Sequence, residues 1–142
     1  MNQLRRPFRI VDKLLVPQHA ALLVQDPDCG AIATFIGTVR ATNAGRDVTH
    51  LEYEVHESMA LKQFGRMFET LREKHGIYHL AIDHRRGIVP AGGISVVIAV
   101  SSPHRRASLA ACAEAIEVLK ADAPIWKKEV YRDGESTWIQ GS

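Results

Sequence analysis

The stretch SSPHRRASLAACAEAIEVLKADAPIWKKEV, residues 101–130, decides how this chain folds. A β-branched apolar run at residues 94–100 stops just before it and reads as a core strand. From residue 104 to about 120 the apolar side chains recur at helical spacing, and Leu109, Cys112, Ala113, Ile116 and Leu119 make the inner stripe. Ser101 or Ser102 can cap that helix, and Pro103 suits its first turn. Pro124 bars continuation. Beyond it, residues 125–131 and 136–139 predict a hairpin whose turn contains Asp133-Gly134.

Upstream, residues 8–15 are strand-like, and Pro17 opens a short helix that Asp26-Pro27-Asp28 ends. Residues 31–39 (AIATFIGTV) are apolar enough for a strand buried on both faces. Residues 41–47 carry Asn43 and Gly45 but no apolar anchor, which predicts a mobile loop. Residues 49–56 alternate, with Leu51, Tyr53 and Val55 on one face and His50, Glu52, Glu54 and His56 on the other. Residues 57–75 read as an amphipathic helix that buries Ala60, Leu61, Phe64, Met67, Phe68 and Leu71, with Gly76 as its C-cap. Residues 77–84 predict another strand, and Pro90-Ala91-Gly92-Gly93 a turn. The order β-α-β-β-α-β-β-α-β-β predicts an α+β fold, a sheet with helices packed on it. No repeat or composition break divides residues 1–142, so one domain is expected.

Composition excludes several classes. At 46% apolar and 24% charged residues, the chain is neither a disordered tail nor a collagen-like fibre. Two cysteines, Cys29 and Cys112, exclude a disulfide-dense module and fit a reducing cytoplasm. No apolar run approaches the ~20 residues of a membrane span, and MNQLRRPFRI lacks the apolar region of a secretory signal. The net charge of +2 is too small to indicate nucleic acid. Residues 84–128, however, hold seven Lys/Arg against three acids, a formal +4, which indicates a local anion site.

The common phosphate-loop, dinucleotide, serine-hydrolase and zinc-protease motifs are absent. Cys112 lies on an apolar helix stripe and reads as a core thiol, and Cys29 has no evident base beside it. Four side chains on the face of His50 cannot converge on one metal, because same-face neighbours along a strand stand about 6.8 Å apart. That face reads as solvated, and no metal or cofactor is expected. The helix start is different. His104, Arg105 and Arg106 put positive side chains where backbone amides already favour an anion, an arrangement that makes sense if an anion binds there. Lys120 borders the apolar face at the helix end, and strand alternation turns one of Lys127 and Lys128 inward. A partly desolvated lysine near other cations has a lowered pKa and can act as base or nucleophile; two snorkelling lysines are the other reading. His104 and Lys120 are separated by roughly 24 Å of helix. One small pocket holding both therefore needs two protomers, and a symmetric dimer supplies two such pockets.

The segments GAIATFIGTVR (30–40), LEYEVHESM (51–59), HRRGIVPAGG (84–93), VSSPHRRASLAACAEAIEVLK (100–120) and APIWKKE (123–129) together resemble the large, catalytic subunit of molybdopterin synthase. Pro103 stands where that family usually has alanine, and His56 where an aromatic is common. The resemblance implies an α/β hammerhead fold and a homodimer, assembled into a heterotetramer with two small ubiquitin-like sulfur carriers. The carrier's C-terminal Gly-Gly thiocarboxylate would supply sulfur to cyclic pyranopterin monophosphate, giving the dithiolene of molybdopterin. It also implies that Arg40, His104 and Arg105 hold the substrate, with Lys120 and Lys127 flanking the carrier tail as the catalytic pair. Phe35 and Glu129 match flanking positions of those motifs, and Arg106 adds to the basic helix start. A nucleophile delivered by a partner explains why no catalytic cysteine is needed.

Two other readings stay open from the residues alone. One is an idle module that binds a phosphorylated ligand for regulation. The other is a single-stranded RNA binder, which the 6% aromatic content and the lack of arginine-aromatic interleaving disfavour.

Overall fold

A computed structural model describes residues 6–141. The reading of the extreme N-terminus as signal-free falls partly on residues 1–5, outside the described residues. In chain order the elements are β1 (Phe8–Val11), α1 (Pro17–Leu23), β2 (Ala31–Thr38), β3 (Thr42–Asn43), β4 (Arg46–Val55), α2 (Glu57–His75), β5 (His79–Arg85), β6 (Gly87–Pro90), β7 (Ile94–Ser102), α3 (Arg105–Asp122), β8 (Ile125–Tyr131) and β9 (Ser136–Gln140).

They form two sheets. The first runs β1-β5-β7-β2, with β1 parallel to β5 and the other pairs antiparallel. The second runs β3-β4-β8-β9, with β6 also paired to β4. Alternation along β5 and β7 sorts their side chains into two cores. Leu80, Ile82, Val96, Ile98 and Val100 join the main core with Phe64, Leu71, Ile116 and Leu119 of α2 and α3. Ala81, Val97 and Ala99 face the other way, against Leu15, Ala20 and Val24 around α1. This is why β7 reads as a continuous apolar run: both of its faces are covered.

Several expectations need correction. Strand β2 is not buried on both faces: Ala33 is buried, whereas Ile32 and Ile36 are 40% and 43% exposed. It is an edge strand of its sheet, and the seven-residue α1 packs mainly over β5 and β7. Strand β1 stops at Val11 instead of running to residue 15. On α3 the buried set is Ser108, Ala111, Cys112, Ala115, Ile116 and Leu119; Leu109 and Ala113 face outward, because the helix is wedged between α2 and the sheet and buries a stripe one position away. Residues 41–47 are not an unanchored loop. β3 pairs with β4, Thr42 opposite Asp47 and Asn43 opposite Arg46, around a two-residue turn. Ala44 and Gly45 both take positive φ there (50° and 80°), the conformation a tight hairpin of this hand requires. Strand β6 was absent from the periodicity, and it places Val89 opposite Leu51. His56 is not on the strand but caps α2, its Nδ1 accepting from the Met59 amide at 3.4 Å. Among the described residues, no helix is long and apolar enough to cross a membrane.

Candidate active site

Where the two sheets meet the last turn of α3, a cavity of about 350 Å³ opens. Phe35 of β2 and Arg40 just past its end line one side, Lys120 of α3 another, and Lys127 and Glu129 of β8 a third. The β4–β8 register explains the last wall. Tyr53 lies opposite Lys127 and Leu51 opposite Glu129, so all four side chains share the inner face. Lys128 points to the outer face, where its Nζ pairs with Glu52 at 2.9 Å. Gly37 sits at a register shift in β2, and a Cβ there would lie 2.7 Å from Val96 Cγ1, so the wall of the cavity requires glycine.

Three cations and one carboxylate therefore share this space. Burial lowers the pKa of Lys127, and the charges of Lys120 and Arg40 lower it further, while Glu129 opposes them. Glu129 is 5% exposed, and both of its oxygens accept from Asn43 Nδ2, at 2.7 and 3.0 Å. Burial also raises the Tyr53 hydroxyl pKa, against a hydrogen bond with Ser95. Such a site attracts an anion and makes one lysine easier to deprotonate than a lysine in water.

Behind this wall His84 is fully buried, its ring edge-on to Tyr53 with centroids 5.1 Å apart. Its Nδ1 meets the Arg85 carbonyl at 2.8 Å, which fixes the tautomer with the proton on Nδ1. Burial, together with the charge of Lys127, pushes its pKa down to about 4. The unfolded chain binds this proton near pH 6.5 and the folded chain only near 4, so stability is full above 6.5 and falls as pH drops through that window. The expected loss is about 3 kcal/mol. Urea midpoints at pH 7 and 4.5 check it, and His84→Gln should flatten the dependence.

The basic helix start lies elsewhere. His104, Arg105, Arg106 and Leu109 border a separate open depression at the opposite end of α3. Neither serine caps the helix as expected. His104 occupies the N-cap position without a side-chain cap, and Ser102 Oγ instead donates to the His104 carbonyl at 2.6 Å. No acidic residue stands in the first turn. Within one chain, then, Arg40, Phe35, Lys120, Lys127 and Glu129 come together, and His104, Arg105 and Arg106 do not join them. Sequence reasoning missed Asn43, Tyr53 and Ser95 as wall residues; only Asn43 had a local signal, its place before a tight Ala-Gly turn.

The remaining candidates are inert or solvated. Burial pushes the Cys112 thiol up to about 11, which suits a core residue. Cys29 is half-buried and free. His50 stands 3.5 Å from Glu52 on the outer face of β4, and no group of three His, Cys, Asp or Glu among the described residues is placed to hold a metal.

Comparison with known proteins adds to this geometry. The family model described as MoaE protein matches residues 10–122. The chain is similar to molybdopterin synthase catalytic subunit 1 of Aedes aegypti, 48% identical over 97% of this chain and 88% of that one. It is 45% identical to the molybdopterin synthase catalytic subunit of Bos taurus, over 89% of this chain and 67% of the relative. Among solved structures, molybdopterin synthase from Staphylococcus aureus superposes with a TM-score of 0.89 at 36% identity, covering 94% of this chain and 97% of that one. Molybdopterin cofactor biosynthesis protein E of Burkholderia multivorans superposes with a TM-score of 0.80 at 29% identity, covering 96% and 91%.

Proposed function

Because this chain belongs to the MoaE protein family, whose relatives are catalytic subunits of molybdopterin synthase, we propose that it moves sulfur from the C-terminal thiocarboxylate of a small ubiquitin-like carrier onto cyclic pyranopterin monophosphate, forming the molybdopterin dithiolene. The observation that carries this reading is the convergence of Arg40, Lys120 and Lys127 on one cavity, with Lys127 half-buried. Thiocarboxylate and phosphate are both anions, and bringing them together needs fixed positive charge in a partly dry site. The attacking sulfur arrives on the carrier, so this chain supplies position and proton management. Lys120 handles the proton or stabilises the acyl intermediate left as the carrier gives up its sulfur; Lys127 is its electrostatic partner, and Phe35 and Glu129 shape the wall.

His104 and Arg105, supported by Arg106, hold substrate phosphate and pterin from a second copy of the chain. The 18-residue α3 spans about 27 Å, so its two ends serve two different pockets. The assembly is a homodimer carrying two sulfur carriers, and it works in the cytoplasm, where the free thiols of Cys29 and Cys112 stay reduced. Subunit mixing tests the shared pocket. His104→Ala and Lys120→Ala dimers should each be inactive, yet after exchange about a quarter of wild-type activity should return, because half of the dimers carry one intact pocket. No recovery after demonstrated exchange would assign both residues to one protomer's site. Substrate binding without any dithiolene product from wild-type chain and charged carrier would leave a phospholigand-binding module instead.

A further inference from the structure

The basic start of α3 is held from two sides by residues that carry no charge of their own. Gly30, one residue before β2, gives its amide to the Pro103 carbonyl at 3.1 Å. Ser102, fully buried as the last residue of β7, donates its hydroxyl to the His104 carbonyl at 2.6 Å. The two bonds bracket the step where the chain leaves the sheet and enters the helix, and His104 is extended there, with φ −125° and ψ 152°. Gly30 leaves no room for a side chain. A Cβ would lie 2.9 Å from the Pro103 carbonyl oxygen, closer than such atoms approach, and the obstacle is backbone, not a flexible side-chain end. Because Ser102 is committed to the His104 carbonyl, it does not cap α3, and the helix start has no side-chain cap.

We propose that Gly30 and Ser102 are positioning residues: by clamping the Pro103–His104 backbone between β2 and β7, they aim the exposed His104 and Arg105 side chains at an anionic ligand. This deepens the role proposed above for His104 and Arg105 and rests on it for the identity of the anion, whereas the clamp rests on the two bonds and the close approach alone. Ala31 pairs with Ser102 in the β2–β7 ladder, so both halves of the clamp sit at one end of the same strand pair. A shift of either strand end is therefore passed directly to the helix start.

The test uses the full-length chain with charged carrier and cyclic pyranopterin monophosphate. Gly30→Ala should raise KM for the pterin about tenfold and leave kcat within about twofold, the pattern of lost ground-state binding at a site that depends on placement. Ser102→Ala should act in the same direction, and Ser102→Thr, which keeps the hydroxyl, should not. On top of Arg105→Ala the further loss from Gly30→Ala should be only about twofold, because the clamp acts through that side chain. In the chain alone, NMR of the His104 ring against inorganic phosphate should report the same weakening. A lowered kcat with unchanged KM would mean that the glycine only keeps the chain folded, and overturns the proposal. So does a wild-type His104 ring that phosphate leaves unmoved. Should Gly30→Ala fail to fold, Ser102→Ala carries the comparison. A wild-type chain that binds phosphate at His104 but makes no dithiolene would sink the reaction assigned above, while the phosphate titrations would still decide the clamp.

Discussion

On the role proposed for it, Lys120→Ala should lower the rate of dithiolene formation by about 10²-fold or more, the usual contribution of a placed proton-transfer group. Thermal stability stays near wild type, because the side chain is exposed at the end of α3 and no buried partner is left behind. Single-turnover assays with thiocarboxylated carrier separate this from slow product release, and Lys120→Arg distinguishes the two roles open to the residue. Arginine keeps the charge but cannot give up its proton near neutral pH. Recovery with arginine assigns Lys120 to stabilising negative charge, and continued inactivity assigns it to moving a proton. Near-normal turnover by the alanine variant would remove Lys120 from the mechanism.

The second large effect concerns folding. Asp83→Ala destabilises the chain by about 3–5 kcal/mol, as expected when one partner of a buried pair is deleted. Asp83 is fully buried, and Arg9 grips it with Nε to Oδ1 at 2.8 Å and Nη2 to Oδ2 at 2.9 Å; His19 Nδ1 stands 3.4 Å from Oδ2. The pair raises the Arg9 pKa, and because a guanidinium keeps its proton without any partner, it stays charged after the carboxylate is gone. Equilibrium urea unfolding with an unchanged slope measures the loss. The double change Arg9→Met with Asp83→Leu should cost much less than either single change, since no charge is then stranded.

Much of the architecture was legible because apolar periodicity reports it directly. The 19-residue α2, the core strand β7 and the α3–Pro124–β8 sequence needed only spacing and two prolines. Strands β3 and β6, of two and four residues, are too short to carry a period, and they exist because β4 offers them backbone partners. The exposed face of β2 was misread because composition does not say which strand ends a sheet. At the site, spacing put Lys120 at the border of the apolar face and turned one of Lys127 and Lys128 inward without saying which; the β4–β8 register decides for Lys127. Tyr53 and Asn43 could not be placed, because their nearness to Lys127 and Glu129 comes from long-range pairing of β4 with β8 and from a side-chain bond across 86 residues. His84 looked like part of a basic segment, yet the structure buries it as a neutral ring.

Adjacent on β5, Asp83 and His84 point in opposite directions, one toward Arg9 and α1, the other toward Tyr53 behind the cavity. Sliding this strand by a single step would exchange their surroundings, leaving a carboxylate among apolar and aromatic groups and an imidazole facing a guanidinium. Two neighbouring ionisable side chains thus act as a keyed fit for the central sheet: only one register of β5 satisfies Arg9 on one face and Tyr53 on the other.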